Sequence, residues 1–348
     1  MSGTGNTASA AAVIGAEMAR AGWSVASTEL TAAWGPGMTT LLPNDLLVVC
    51  FPVLGFGVPA LVRRAVRRLR GNGRPAAVFA TWGGEGQAAL WQARRLLGRR
   101  GFRLVHCGGS AYPFQWTQVI PPPRPEDARL VVDEGNHGAR EFARELIAGL
   151  RSGAPRLDAR APRLSVSAAI SLPIAWLYAS IGRFGLGALY AADERCTGCG
   201  VCCKLCPVDA IRMAGPQGRR RPRWRAACEG CNRCINLCSR AAIQASPLRT
   251  AVHLLVNAAV IVAAVVILNR AAAAAAALGV PSPLRVVAYV AAFIALAVAG
   301  SRLQFVALEP ALFRLEGLPV LRRLVGKSWT SKFPRYRCPG FRPRGRAG

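Results

Sequence analysis

Residues 196–211 read CTGCGVCCKLCPVDAI, and residues 228–243 read CEGCNRCINLCSRAAI. The two stretches correspond at an offset of 32 residues, which indicates an internal duplication. Three thiolates from one tight loop can bind three irons of a cubane iron–sulfur cluster, while the fourth cysteine of the run reaches the other cluster. The pattern predicts a first 4Fe-4S cluster on Cys196, Cys199, Cys202 and Cys238. It predicts a second 4Fe-4S cluster on Cys228, Cys231, Cys234 and Cys206.

Structural zinc is the alternative interpretation of paired CxxC motifs. A zinc site takes four ligands and gives no role to the third CxxC step or to Pro207. Eight of the chain's twelve cysteines belong to the two repeated patterns, a spacing typical of metal binding in a reducing compartment rather than of a secreted disulfide scaffold. The other four, Cys50, Cys107, Cys203 and Cys338, are interpreted as packing residues.

Up to about residue 150, short apolar runs alternate with helical patterns. The runs predicted as strands are 24–30, 45–52, 76–82 and 103–111. The segments predicted as helices are 7–21, 59–69, 87–100 and 139–150. Strands separated by helices of this length predict an α/β doubly wound parallel sheet.

The chain begins MSGTGNT, a hydroxyl- and glycine-rich turn that leads into an alanine-rich helix. This is the chemistry of a phosphate cradle, which lies at the carboxyl end of a strand. Hardly any residues precede it here. In a doubly wound sheet of order 2-1-3-4-5 the strand before the cradle is internal, so without it the strand at 24–30 would lack a neighbour. We therefore expect Met1 to be an internal codon, with a strand of about five to seven apolar residues encoded upstream.

Several of these motifs carry a family resemblance. The turn SGTGNT resembles the FMN phosphate loop of flavodoxins, and FPVLGFGVP (51–59) and ATWGGEG (80–86) lie where flavodoxins place flavin-contacting loops. The cysteine stretches resemble bacterial-type two-cluster ferredoxins, with Ser239 where a second proline is usual. Residues 1–245 thus resemble the flavodoxin–ferredoxin fusion family. The resemblance implies that FMN phosphate is held by Ser2, Gly3, Thr4, Gly5, Asn6 and Thr7. It implies that the isoalloxazine is flanked by Pro52, Val53, Leu54, Gly55, Phe56, Thr81, Trp82, Gly83 and Gly84.

Apolar stretches predict contact with a membrane. Residues 250–269 are uncharged and of about the length that crosses hydrocarbon, and 284–301 reach that length if Arg285 snorkels, so the two stretches predict a transmembrane hairpin. The apolar helix at 164–182 is interrupted by Pro173, and we expect it to pack on a domain or lie at the membrane surface. Arginines outside the hairpin predict that both termini face the cytoplasm. The predicted organisation is a flavodoxin-like domain at 1–151, a connector at 152–192, a two-cluster ferredoxin domain at 193–246, membrane helices at 250–269 and 284–301, and a basic cytoplasmic tail at 302–348.

The chain is strongly basic, with 45 Lys and Arg against 17 Asp and Glu. Four explanations of such an arginine excess stay open on charge alone: a codon-biased genome, an anionic membrane surface, acidic protein partners and nucleic acid, of which codon bias together with a membrane ranks first. No catalytic triad or carboxylate pair stands out, and the resemblance implies a membrane-tethered electron carrier. The alternative is a flavin-dependent oxidoreductase acting on its own substrate, with the ferredoxin domain as internal electron supply. Nucleic-acid binding is not expected, because only the tail at 327–348 interleaves basic and aromatic residues and its position suits lipid headgroups better.

Overall fold

The computed structural model describes residues 1–35, 41–42, 44–153, 166–216 and 220–343. Within these ranges the N-terminal part contains a parallel sheet in the spatial order β1-β2-β3. Its strands are β1 (Leu47–Pro52), β2 (Pro75–Trp82) and β3 (Arg103–Ala111). The helices around it are α1 (Asn6–Arg20), α2 (Ala60–Arg68), α3 (Gln87–Gly98) and α4 (Pro125–Arg151). The predicted parallel α/β arrangement is confirmed to this extent.

Both faces of the sheet are covered, as expected for parallel strands. Successive residues of the central strand β2 point to opposite faces. Ala77 and Phe79 pack with α1 and α4, whereas Val78 and Ala80 pack with α2 and α3. All four of these β2 side chains are fully buried. The carboxyl ends of β1 and β2 therefore emerge at one edge, beside the start of α1.

The predicted strand at 24–30 is wrong. This segment forms no strand, and most of it is exposed. A strand is stable only when its backbone groups pair, and in the described residues no strand lies beyond the outer edge of β1. The segment instead runs toward the cysteine-rich region, where the Ala32 amide donates to the Pro207 carbonyl at 2.6 Å.

Helix α4 begins well before the predicted residue 139. Pro125 occupies its first turn, where a missing amide hydrogen costs nothing, and Glu126 and Asp127 favour the positive end of the helix dipole. These start signals explain the longer helix.

The cysteine-rich region contains two small antiparallel sheets. Strand β4 (Tyr190–Ala192) pairs with β7 (Ile243–Ala245), and β5 (Ile211–Ala214) pairs with β6 (Arg221–Trp224). Short helices α7 (Val201–Lys204) and α8 (Arg233–Leu237) lie within the two cysteine runs. The region is introduced by α5 (Val166–Leu177), a π-helical turn (Tyr178–Gly182) and α6 (Arg183–Ala188).

Among the described residues, three helices are long and apolar enough to cross a membrane. Two of them, α9 (Pro247–Ala277) and α10 (Ser282–Ala307), contain the predicted spans 250–269 and 284–301. The third is Val166–Ala188, within the connector. The sequence predicts that this apolar helix packs on a domain or lies at the membrane surface. Its α5 portion contacts α3. By length and composition the connector is also a candidate span, despite Pro173.

The segment predicted as a basic tail is folded up to residue 343, and residues 344–348 lie outside the described ranges. It forms α11 (Glu309–Leu315), α12 (Pro319–Gly326) and a 3-10 turn (Trp329–Lys332). Its acids neutralise the buried Arg249, whose Nε donates to Glu316 Oε2 at 2.7 Å and whose Nη1 pairs with Glu309. This buried ion cluster fastens the segment to the base of α9.

Candidate metal centre

The two cysteine runs share the same backbone geometry as well as the same sequence pattern. A positive φ is uncommon for residues other than glycine, yet it recurs at equivalent positions of the two copies. The matched pairs, with their φ values, are Gly198 and Gly230 (72° and 64°), Gly200 and Asn232 (72° and 55°), and Asp209 and Ala241 (55° and 46°). The predicted duplication is therefore visible in the fold of each run.

One cavity gathers cysteines from both copies. It opens to solvent on one side. Its lining includes three thiols of the first run together with Cys234 and Cys238 of the second. Those three are Cys196, Cys199 and Cys202, so the complete set predicted for the first cluster surrounds one space.

The remaining cysteine of the first run, Cys206, faces the second run. Burial first and the neighbouring Cys206 second raise the pKa of the Cys231 thiol to about 11, against the lowering effect of the Arg233 guanidinium. Burial also raises the pKa of Cys228, to which Cys231 and then Cys206 contribute. Cys238 lies beside the first run and Cys206 lies close to Cys228 and Cys231, a placement compatible with the predicted exchange of the fourth cysteine.

Amide hydrogens point at sulfur in both copies. The Ala210 amide donates to Cys206 Sγ at 3.2 Å, and at the equivalent position the Ala242 amide donates to Cys238 Sγ at 3.4 Å. The Gly230 amide lies 3.4 Å from Cys228 Sγ. Hydrogen bonds of this kind stabilise ligating thiolates and adjust the potential of a bound cluster.

A single metal ion and a cubane cluster require different arrangements of their thiol ligands. In the described parts of the chain, no three His, Cys, Asp or Glu side chains converge on one ion position. Zinc needs its four donors at about 2.0–2.3 Å from one point. A cubane distributes four thiolates over four irons, so its ligands surround a space instead. The cavity is lined by the four thiols predicted for the first cluster and also by Cys234 of the second predicted set.

The predicted flavin-contacting loops meet at one edge of the sheet, as expected for a doubly wound fold. Thr7 Oγ1 and Thr81 Oγ1 lie 2.7 Å apart, so the predicted phosphate loop contacts the end of β2. Two of the residues predicted to flank the flavin pack against the protein itself. Tyr178 packs directly on Gly55, and the ring of Trp82 packs on Gly86.

The phosphate-loop residues have protein partners and no access to solvent. Ser2, Thr4, Asn6 and Thr7 are at most 4% exposed. Thr4 Oγ1 bonds to Gln115, and Asn6 bonds both to the Pro113 carbonyl at 3.1 Å and to the Tyr336 hydroxyl at 2.7 Å.

The C-terminal segment completes this cover. Phe341 lies over Gly5, where a Cβ would come within 2.6 Å of the Phe341 side chain. The loop in this arrangement does not fit an FMN phosphate, because its donors are engaged and Phe341 occupies the approach. FMN binding stays a prediction from the resemblance.

Two charged residues inside the cysteine runs escaped the sequence analysis. Glu229 accepts hydrogen bonds from the amides of Ala60 at 3.0 Å and Leu61 at 2.9 Å, so it caps the first turn of α2. Arg233 is 2% exposed and bonds to the N-terminal loop. A charge within a loop that closes around a metal must find a partner when buried. That rule was the available signal for both residues.

Comparison of the chain with protein-family models, with curated proteins and with solved structures found no match.

Proposed function

We propose that this protein is a membrane-associated electron carrier with two 4Fe-4S clusters, which relays electrons between redox partner proteins. The observation that supports the proposal is the cavity lined by Cys196, Cys199, Cys202 and Cys238. Contribution of the fourth thiol by the other half of a duplicated motif is the ligand exchange typical of two-cluster ferredoxins. A structural zinc pair would not need it.

Each proposed cluster has its own set of ligands and its own exposure. Such clusters, when bound, take up and release one electron at a time. Cys199 of the first set is exposed, whereas Cys228 of the second is buried. Electron exchange with a partner is therefore favoured at the first cluster, and the second is shielded from solvent by the surrounding chain.

The surface around the first cavity suits an acidic partner. Arg240 lines the cavity and is exposed, and Lys204 is exposed on α7. Arg195 on the same side is held by Asp193. Charge complementarity of this kind speeds the encounter of redox proteins and makes its rate depend on salt.

The membrane part of the proposal is supported by the three apolar helices. The cysteine-rich region leads directly into α9, because β7 ends at Ala245 and α9 begins at Pro247. The buried Arg249 fixes this junction through Glu309 and Glu316. The proposed clusters are therefore held close to the start of an apolar helix.

Anaerobic purification in detergent, followed by quantification of iron, sulfide and flavin, tests the proposal. We expect about eight irons and eight sulfides per chain. Cys203→Ala is the matched control, because Cys203 lies inside the first run but outside the repeat and its Sγ contacts the Ile211 carbonyl. The control should retain all the iron. A preparation that contains zinc but neither iron nor sulfide would refute the proposal.

A further inference from the structure

A buried arginine is clamped beside the second set of cysteines. Arg233 lies between Cys231 and Cys234 in sequence and its side chain is 2% exposed. Its Nε donates to the Ser2 carbonyl at 3.1 Å and to the Gly3 carbonyl at 3.2 Å. A fully buried guanidinium requires compensation by acceptors and by an opposite charge.

The compensating charge is Glu29, which lies in the segment 24–30 that forms no strand. Glu29 pairs with Arg233 Nη2, and its side chain is 19% exposed. Arg233 Nη1 donates to the Leu205 carbonyl at 3.0 Å, directly before Cys206. The guanidinium therefore links both parts of the second set of cysteines to the N-terminal loop.

The same loop approaches the second cysteine run through its backbone. A Cβ on Gly3 would lie 2.4 Å from the Cys231 carbonyl oxygen. Glycine is thus needed for this approach, and the approach brings the Ser2 and Gly3 carbonyls within reach of Arg233. The hydroxyl-rich turn that resembles a phosphate cradle provides acceptors for a cation in this fold.

We propose that Arg233, held by the Ser2 and Gly3 carbonyls and balanced by Glu29, sets the reduction potential of the second cluster. The inference rests on the proposed function, since it requires that the cluster forms. Reduction adds one electron from an electrode or from dithionite, and no proton or leaving group moves. The reduced cluster carries one more negative charge, so a nearby positive charge stabilises it and a nearby negative charge destabilises it.

The two members of the pair must then act in opposite directions. Glu29→Gln leaves the arginine charge unbalanced and shifts the midpoint potential of the second cluster upward. Arg233→Met removes the positive charge, leaves Glu29 unpaired and shifts that potential downward. A purely structural role would not reverse the sign of the shift between the two variants.

Spectroelectrochemistry monitored by electron paramagnetic resonance on the full chain in detergent measures both potentials. Arg233 also lines the cavity of the first set, so the first cluster should shift in the same direction as the second but by less in each variant. Glu194→Gln is the matched control, because Glu194 is 63% exposed and lies two residues before Cys196. Its removal should leave the second cluster unshifted.

Shifts of the same sign in Glu29→Gln and Arg233→Met would overturn the inference, as would equal shifts of both clusters. If Arg233→Met fails to assemble the second cluster, Glu29→Gln decides, because it keeps the arginine and its carbonyl contacts. An unshifted Glu29→Gln then refutes the tuning role. Absence of clusters from the unmodified chain would refute the proposed function instead, so the two failures are distinguishable.

Discussion

Replacement of the fourth cysteine in each run separates crossed ligation from ligation within each run. The cavity places Cys238 with the first run, and Cys206 lies close to Cys228 and Cys231. Each cluster holds about four of the eight expected irons. We therefore expect Cys238→Ala to damage the first cluster and Cys206→Ala the second, with up to about half of the iron lost in each case.

Two reference variants identify which cluster is lost. Cys199→Ala removes a ligand that belongs to the first cluster in either scheme, and Cys231→Ala removes one that belongs to the second. Iron analysis and electron paramagnetic resonance of the reduced proteins should pair Cys238→Ala with Cys199→Ala and Cys206→Ala with Cys231→Ala. The opposite pairing would show that each run holds its own cluster, and it would refute the reasoning from the cavity.

Three further predictions concern the contacts that hold the parts of the fold together. Arg249→Met should lower the free energy of unfolding by about 3–5 kcal/mol, because it leaves buried carboxylates unpaired. Adding Glu316→Gln should restore part of this loss. Thermal unfolding in detergent, followed by tryptophan fluorescence, measures both effects, and an unchanged midpoint would contradict the prediction. Gly3→Ala should destabilise the protein by about 1–3 kcal/mol, because the alanine Cβ would overlap the Cys231 carbonyl. The variant should also lose iron from the second cluster. Full retention of iron and stability would contradict the close approach of Gly3 to Cys231. Glu229→Ala should lower the free energy of unfolding by about 1–2 kcal/mol, because the first turn of α2 loses its cap. Glu229→Gln should be closer in stability to the unmodified chain in the same unfolding assay.

Much of the local structure could be read from spacing alone. The strands β1, β2 and β3 and the start of α1 lie close to their predicted positions, because apolar periodicity and turn residues act over a few neighbouring residues. The apolar stretches at 250–269 and 284–301 likewise fall within α9 and α10. The duplicated cysteine spacing predicts Cys196, Cys199, Cys202 and Cys238 as one set, and these four line one cavity, where Cys234 joins them.

The environment of the N-terminal turn could not be read in this way. Its composition indicates a phosphate cradle, but whether the donors are free depends on Tyr336 and Phe341, more than 300 residues away in sequence. The fate of 24–30 similarly depends on whether a neighbouring strand is present, which alternation within the segment does not reveal.

The sequence by itself determined the spacing of the two cysteine runs and the positions of the apolar helices, because each of these depends on residues close together in the chain. Only the tertiary structure decided that Glu29 and the Ser2 and Gly3 carbonyls meet Arg233, across more than 200 residues. Such a contact exists only when several separate packing interfaces close together. A buried charge requires a partner, and the tertiary structure determines which residue provides it.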